Sequence, residues 1–169
     1  MKLFKKLAAA ALAAVLALSM VGCGATKGIT AKELLNLISD STMMMADVTI
    51  EQSNDMERLA EKLTANIDKA ENKEATVTER LTDPKVVAAA DIDAEKEVYI
   101  VCAAENYVPK SPYIPDEAVA RSLVEKLMRS NKVIGNGNSL GEINKAEAGI
   151  ATVKIDGKEY FVMVLKPVK

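Results

Sequence analysis

The feature that most constrains the fold is a pair of apolar segments near the C-terminus, AGIATVKI and KEYFVMVL, separated by Asp156-Gly157. Asp-Gly is a preferred two-residue turn of β-hairpins, and here it would place Lys154 opposite Glu159 as a favourable cross-strand pair. Residues 160–165 are apolar at every position, which is typical of a strand that is covered on both faces. We therefore predict a hairpin whose second strand is central in a sheet, with helices packed on it.

Three other segments predict helices. TAKE at residues 30–33 has the pattern of a capping box, and Asn54 can cap a segment with apolar residues at helical spacing. Pro115 and the two acidic residues that follow it suit a helix N-terminus. The predicted helices are 31–40, 55–71 and 115 to about 130.

The middle of the chain is harder to interpret. Residues 74–96 fit a strand or a helix in different parts, and Asp83-Pro84 marks a turn or a helix start. Residues 97–104, EVYIVCAA, predict a strand, and the three prolines of residues 109–115 predict a loop. Taken together, the elements predict the α+β class: an antiparallel sheet of three or more strands with a C-terminal Asp-Gly hairpin, packed against about three helices.

The N-terminal residues predict a secretory leader. Lys2, Lys5 and Lys6 precede about 16 apolar or small residues, which is short for a membrane span of about 20 and typical of a signal peptide. Met20-Val21-Gly22-Cys23 resembles the lipobox of bacterial lipoproteins. That resemblance implies acylation of the Cys23 sulfur and cleavage between Gly22 and Cys23.

The predicted organisation follows from that leader. Residues 1–22 are the signal peptide, residues 23–30 are the lipidated cysteine with a short tether, and residues 31–169 are a single α+β domain. Seven extended residues, 24–30, reach at most about 25 Å, so the domain is expected close to the membrane. The second cysteine, Cys102, lies in an apolar strand and is predicted to be buried and inert.

Composition excludes several classes of function. The chain has no histidine, which rules out Ser-His-Asp and Cys-His nucleophile systems and imidazole zinc sites. The chain has 22 basic and 24 acidic residues. Without the three lysines of the leader, 19 basic residues remain against 24 acidic ones, a net charge of −5. This negative net charge is unlike the clustered basic residues typical of a nucleic-acid binder.

Four sets of residues are candidate sites. Residues 135–141, GNGNSLG, lack the spacing of a dinucleotide fingerprint and predict a surface loop. Asp91 and Asp93 lack the remaining ligands of a calcium loop, and nothing in the sequence brings Glu105 and Glu117 together. Methionines 43–45 fit either core packing, which we favour, or a groove for a lipid or peptide. We predict no catalytic residue, no metal ligand and no cofactor.

The second half of the chain resembles the CAP (SCP-like) domain of secreted bacterial proteins. The likeness lies in a core strand, a helix ending in EKLMRSN, an irregular loop and the closing hairpin. Met128 and Ser130 match the helix end, and Gly149, Tyr160 and Phe161 match the hairpin. The resemblance implies a scaffold without the metal-binding cleft of that family, because the cleft histidines are missing here.

These features together predict a membrane-anchored envelope lipoprotein with a small non-catalytic binding domain. Its ligand would be a protein, a peptide, a lipid or a cell-wall component. The expected location is the outer face of the cytoplasmic membrane, and the leader resembles those of single-membrane bacteria. The alternatives are a carboxylate-based cell-wall enzyme, an inhibitor or immunity-type protein, and a divergent CAP-like domain.

Overall fold

The computed structural model describes residues 29–46, 48–106, 116–136 and 144–168. The helices in these ranges are α1 (Ala31–Ala46), α2 (Asn54–Ala65), α3 (Val77–Leu81), α4 (Pro84–Ala89) and α5 (Asp116–Arg129), with a 3₁₀ turn at Ile67–Lys69. The strands are β1 (Thr49–Gln52), β2 (Tyr99–Glu105), β3 (Lys132–Ile134), β4 (Lys145–Ile155) and β5 (Lys158–Val168).

The five strands form one mixed sheet in the order β1-β4-β5-β2-β3. The predicted α+β class is confirmed, but the sheet is only mostly antiparallel, since β1 runs parallel to β4. No hairpin joins these two strands, which are brought together from distant parts of the chain, so their relative direction is not set by a tight turn. Between β4 and β5, Asp156 and Gly157 both have positive φ, 51° and 79°, and Lys154 lies opposite Glu159.

Helices cover both faces of the sheet. On one face, α1 and α5 pack over Phe161, Met163 and Leu165 of β5. On the other face, α2, α3 and α4 pack over Val162 and Val164. All five of these β5 side chains are buried, and β5 is the middle strand. The prediction of a central strand with both faces covered is confirmed.

Several predicted helix boundaries were wrong. α1 continues to Ala46, beyond the predicted end at residue 40. α2 ends at Ala65, well before residue 71, and its N-cap is Ser53 in extended backbone. The predicted cap, Asn54, is instead the first helical residue. The chain turns tightly through the 3₁₀ segment after α2, which lets Ile67 and Ala70 reach the core beside the sheet.

The ambiguous segment 74–96 contains two short helices, so the described residues form five α-helices where about three were expected. α3 begins at a capping box in which Thr76 and Glu79 each bond the other's backbone N–H. α4 begins with Asp83 as N-cap and Pro84 in its first turn. Both helices place apolar side chains, including Leu81, Val86 and Val87, on the second face of the sheet.

Candidate functional site

The structure places the two cysteines of the sequence analysis very differently. Cys23, with Gly22 beside it, lies outside the described residues. Cys102 lies in the middle of β2, is 0% exposed and is a free thiol. Burial away from water raises the pKa of its thiol to about 12, so the nucleophilic thiolate is not formed at neutral pH. The predicted burial of Cys102 is confirmed.

The acidic candidates do not converge on one site. Asp93 accepts hydrogen bonds from Lys96 Nζ at 2.6 Å and from the Glu95 N–H at 3.1 Å, so it organises its own turn. Glu105 forms an ion pair with Lys158 at 3.0 Å. The side chain of Glu117, on the other side of the proline loop, lies outside the described part of the structure. Among the described residues, no group of three possible metal ligands occurs.

The loop candidate is only partly described. Gly135 follows β3 and has a φ of 88°, and a Cβ atom there would lie 2.2 Å from the Glu97 carbonyl oxygen. This glycine therefore allows the turn before β2 to approach β3 closely. Residues 137–143 of the same loop lie outside the described residues, as do residues 107–115 of the predicted proline loop.

The residues that match the CAP pattern have structural roles. Met128 and Phe161 are buried in the core. The Ser130 hydroxyl accepts a hydrogen bond from the Ala103 N–H at 3.0 Å and lies 2.6 Å from the Ala103 carbonyl oxygen. It thus joins the end of α5 to β2. Gly149 lies directly beneath the first turn of α2.

One polar cluster lies where the β4–β5 turn meets α3, and we call Arg80, Asp68 and Asp156 the Arg80 cluster. The Arg80 side chain is 5% exposed, yet its guanidinium bonds the Asp156 carboxylate and lies 4.0 Å from Asp68. Its Nε has no hydrogen-bond partner among the described residues. A buried guanidinium requires a carboxylate nearby, so this cluster fastens the turn to α3.

A second polar cluster lies at the opposite end of the sheet, and we call Glu97, Tyr99 and Lys166 the Tyr99 cluster. Lys166 Nζ lies 2.8 Å from Glu97 Oε1 and 5.4 Å from the centre of the Tyr99 ring. The Tyr99 residue is 5% exposed, whereas the two charged side chains are each more than a third exposed. The cluster thus presents an ion pair to solvent over a buried aromatic ring.

The pKa shifts in the Tyr99 cluster show what it can do chemically. The hydrogen bond from Lys166, followed by that from Tyr99, lowers the pKa of the Glu97 carboxyl. Burial, and then the hydrogen bond to Glu97, raises the pKa of the Tyr99 hydroxyl. At neutral pH the carboxylate is charged and the phenol is protonated. Both pKa shifts lead away from neutral pH, where a general acid or base works best.

Sequence reasoning missed both clusters. Arg80 lies in the ambiguous segment 74–96, although Thr76 and Glu79 within that segment have the spacing of a capping box. The Tyr99 cluster joins residues separated by 69 positions, and only the pairing of β2 with β5 brings them together. No local pattern could have revealed that pairing.

In comparisons with known proteins, no protein-family model, curated protein or solved structure matches the chain significantly.

Within the described ranges, none of the helices is both long enough and apolar enough to cross a membrane.

Proposed function

We propose that this protein is an envelope lipoprotein, anchored by diacylglycerol on Cys23, whose α+β domain binds a partner at the outer face of the cytoplasmic membrane. The observation that carries the proposal is the leader: three lysines, a short apolar run and the sequence MVGC at residues 20–23. Two acyl chains anchor a protein stably where one is marginal, because each buried CH₂ contributes about 0.8 kcal/mol.

The start of the folded domain supports an anchor at this position. Ile29 already packs against the core, and the Thr30 hydroxyl and Glu33 carboxylate complete the predicted capping box of α1. The folded domain therefore begins only six positions after Cys23. A domain this close to an acylated residue would remain at the bilayer surface.

The chemistry of the described carboxyl groups favours a binding role over the carboxylate-enzyme alternative. The general acid of a glycosidase needs a raised pKa. Among the described side chains whose carboxyl pKa departs clearly from its ordinary value, each departs downward. A cell-wall hydrolysis assay of the purified protein between pH 4 and pH 8 tests this directly, and we expect no turnover.

The anchor is tested by metabolic labelling with an alkyne-bearing fatty acid in a bacterial host. Wild-type protein should take up the label and migrate as the cleaved form. Cys23→Ala should remain uncleaved and unlabelled, because it lacks the acylated sulfur. Cys102→Ala is the matched control and should be labelled normally. Normal labelling of Cys23→Ala would refute the anchor.

The binding role is tested on the anchored protein. After mild detergent extraction, native mass spectrometry would detect a copurified small ligand, and crosslinking in whole cells would detect a protein partner. We expect the Tyr99 cluster to take part in binding. Lys166→Glu places a second carboxylate beside Glu97, so capture of the ligand or partner should weaken at least several-fold. Unchanged capture by that variant would exclude the cluster from the interface.

A further inference from the structure

One side of strand β4 is only partly covered by a neighbouring strand. β4 pairs with β5 along its whole length. On its other side, β1 pairs only with residues 145–148, because the chain turns into α2 at the end of β1. Beyond Ala148, β4 is therefore itself an edge of the sheet. Residues 152–154 of this edge are exposed or half-buried, and we call them the open edge.

The alternation of a β-strand fixes which backbone groups of the open edge point outward. The Ser53 N–H donates to the Ala148 carbonyl oxygen, so even-numbered residues of β4 direct their backbone groups toward the β1 side. The register with β5 is uninterrupted, so the N–H and C=O groups of Thr152 and Lys154 point the same way. None of these four groups has a hydrogen-bond partner among the described residues.

Two other places on the sheet edges are closed by serine hydroxyls. The Ser39 hydroxyl of α1 donates to the Ile50 carbonyl oxygen at 2.9 Å, on the outer side of β1. Where β2 extends beyond β3, the Ser130 hydroxyl accepts from the Ala103 N–H at 3.0 Å and lies 2.6 Å from the Ala103 carbonyl oxygen. Folded proteins generally block strand edges, because free N–H and C=O groups pair with other chains. Within the described ranges, no side chain closes the open edge in this way.

The charge of the open edge indicates what kind of strand it accepts. Lys154 is exposed and has no ion pair within the described residues, and its cross-strand neighbour Glu159 is bonded by the Asn106 side chain. A lysine on an edge opposes indiscriminate pairing, whereas an acidic side chain directly opposite it is stabilising. A second copy paired about Thr152 would place the apolar Ile150 opposite Lys154. An acidic strand therefore fits this edge better than a second copy does.

We propose that the open edge binds an extended segment of a partner protein as a sixth strand, with an acidic side chain of that segment opposite Lys154. Strand addition obtains affinity from main-chain hydrogen bonds and specificity from alternate side chains. The edge is held in place for this role, because Asp156 of the adjoining turn bonds the buried Arg80 guanidinium and Ile155 is buried. The inference rests on the proposed binding role and does not depend on acylation of Cys23.

Amide hydrogen exchange, followed by NMR on the full chain in mild detergent, tests whether the edge is free. In the unbound protein, the N–H groups of Thr152 and Lys154 should exchange several-fold faster than those of Ala151 and Val153, which face β5. Equally slow exchange at all four positions would show that another part of the chain already covers the edge. That result would overturn the proposal.

Binding is measured by fluorescence anisotropy with a labelled, blocked peptide of alternating threonine and valine that carries one central glutamate. Thr152→Pro removes an outward N–H at an edge position that tolerates proline, so affinity should fall at least several-fold. Thr152→Val keeps the N–H and should bind as wild type does. Lys154→Glu should weaken binding of this peptide and strengthen binding of its lysine counterpart. Lys126→Glu, an equal change of charge at an exposed position on α5, should do neither.

Failure of the glutamate peptide to bind wild type, or equal binding by Thr152→Pro and Thr152→Val, would overturn the proposal. If Thr152→Pro misfolds by circular dichroism, the peptide with every backbone nitrogen methylated replaces that variant, because it cannot donate strand hydrogen bonds. It should not bind wild type, and undiminished binding would equally overturn the proposal. A ligand or partner captured through the Tyr99 cluster, with no peptide bound at the open edge, would refute this inference and leave the proposed binding role standing.

Discussion

Cys102 shows how a residue with reactive chemistry is made inert by its position. It lies under the α1 and α5 side of the sheet among apolar neighbours, and its pKa of about 12 reflects the cost of burying a thiolate. We expect no reaction with an aromatic disulfide reagent in the native state at pH 8, and rapid reaction in denaturant. An added surface thiol, Lys96→Cys, is the positive control. Fast labelling of the native wild-type thiol would contradict the burial.

Arg80 is the buried charge on which the β4–β5 turn depends. Asp156→Asn removes its close carboxylate, while asparagine still tolerates the positive φ of 51° at this turn position. We expect a loss of about 1 kcal/mol in the free energy of unfolding. This is below the roughly 3–5 kcal/mol for a fully buried pair, because the Asp156 side chain is 67% exposed. Urea denaturation measures the difference.

The matched control for that variant is Asp68→Asn. Its carboxylate lies 4.0 Å from Arg80 and the side chain is 92% exposed, so water screens the pair. We expect a change within about 0.5 kcal/mol. If both variants lost the same stability, the pairing of Arg80 with Asp156 could not be the cause.

At the scale of elements, the close approach of α2 to β4 depends on Gly149. A Cβ atom at this position would lie 2.2 Å from the Glu57 backbone nitrogen and 2.7 Å from the Met56 carbonyl carbon. Because these are backbone atoms, α2 would have to move as a whole. Gly149→Ala should therefore lower the free energy of unfolding by about 2–3 kcal/mol, measured by urea denaturation.

Gly157 provides the contrast within the same pair of strands. A Cβ atom there would meet nothing within 4 Å, but its φ is 79°. The expected cost of Gly157→Ala is therefore conformational, about 1 kcal/mol. Gly157→Asn should recover part of that stability, because asparagine tolerates positive φ.

A Gly149→Ala variant as stable as wild type would show that α2 can move away from the sheet at little cost.

The elements that were predictable are those with strong local signals. α5 was expected from Pro115 and the two acidic residues after it, and it spans Asp116–Arg129, within a residue of the predicted bounds at each end. β5 was recognisable as central because residues 160–165 are apolar without interruption. α3 was missed, although Thr76 and Glu79 have capping-box spacing, because five helical residues are too few to show a helical period against the alternation of ATVTERL.

The remaining features could not be predicted because they are set by contacts between distant residues. β1 has four residues and only Ile50 is buried, so its strand character comes from pairing with β4. The extension of α1 past residue 40 crosses the three methionines, whose pattern does not distinguish helix from strand. The Arg80 cluster joins residues 76 positions apart, and no spacing within the sequence marks it.

At the scale of the whole molecule, the shifted carboxyl groups all act on stability in the same direction. Hydrogen bonds from Thr30 lower the pKa of Glu33, and those from Thr76 lower that of Glu79. Backbone N–H groups, first that of Glu71, lower the pKa of Asp83. Hydrogen bonds from lysines are the main cause of the lower pKa of Asp93 and Glu97. At pH values between the folded-state and the unfolded-state carboxyl pKa values, the native state therefore binds fewer protons than the unfolded state.

This sign fixes the expected pH dependence. Unfolded carboxyl groups titrate near pH 3.9–4.3, so the stabilisation is fully present above about pH 5. It is lost as the pH falls through the lower pKa values of the folded state. We expect the urea midpoint to be constant from pH 7 to pH 5 and to fall steadily between pH 5 and pH 2.5. A midpoint that stays constant to pH 2.5 would show that these hydrogen bonds do not discriminate between charged and neutral carboxyl groups.

The contribution of one carboxylate to this loss of stability in acid can be measured separately. Glu97→Gln removes the charge that pairs with Lys166, so the variant should be less stable than wild type at pH 7, and the difference should shrink as the pH approaches 2.5. Glu61→Gln, at an exposed position on α2, should give a midpoint curve parallel to that of wild type. The converging and parallel curves together would assign part of the acid sensitivity to the Tyr99 cluster. If the Glu97→Gln midpoint curve instead stayed parallel to that of wild type, the ion pair would contribute nothing to the acid sensitivity.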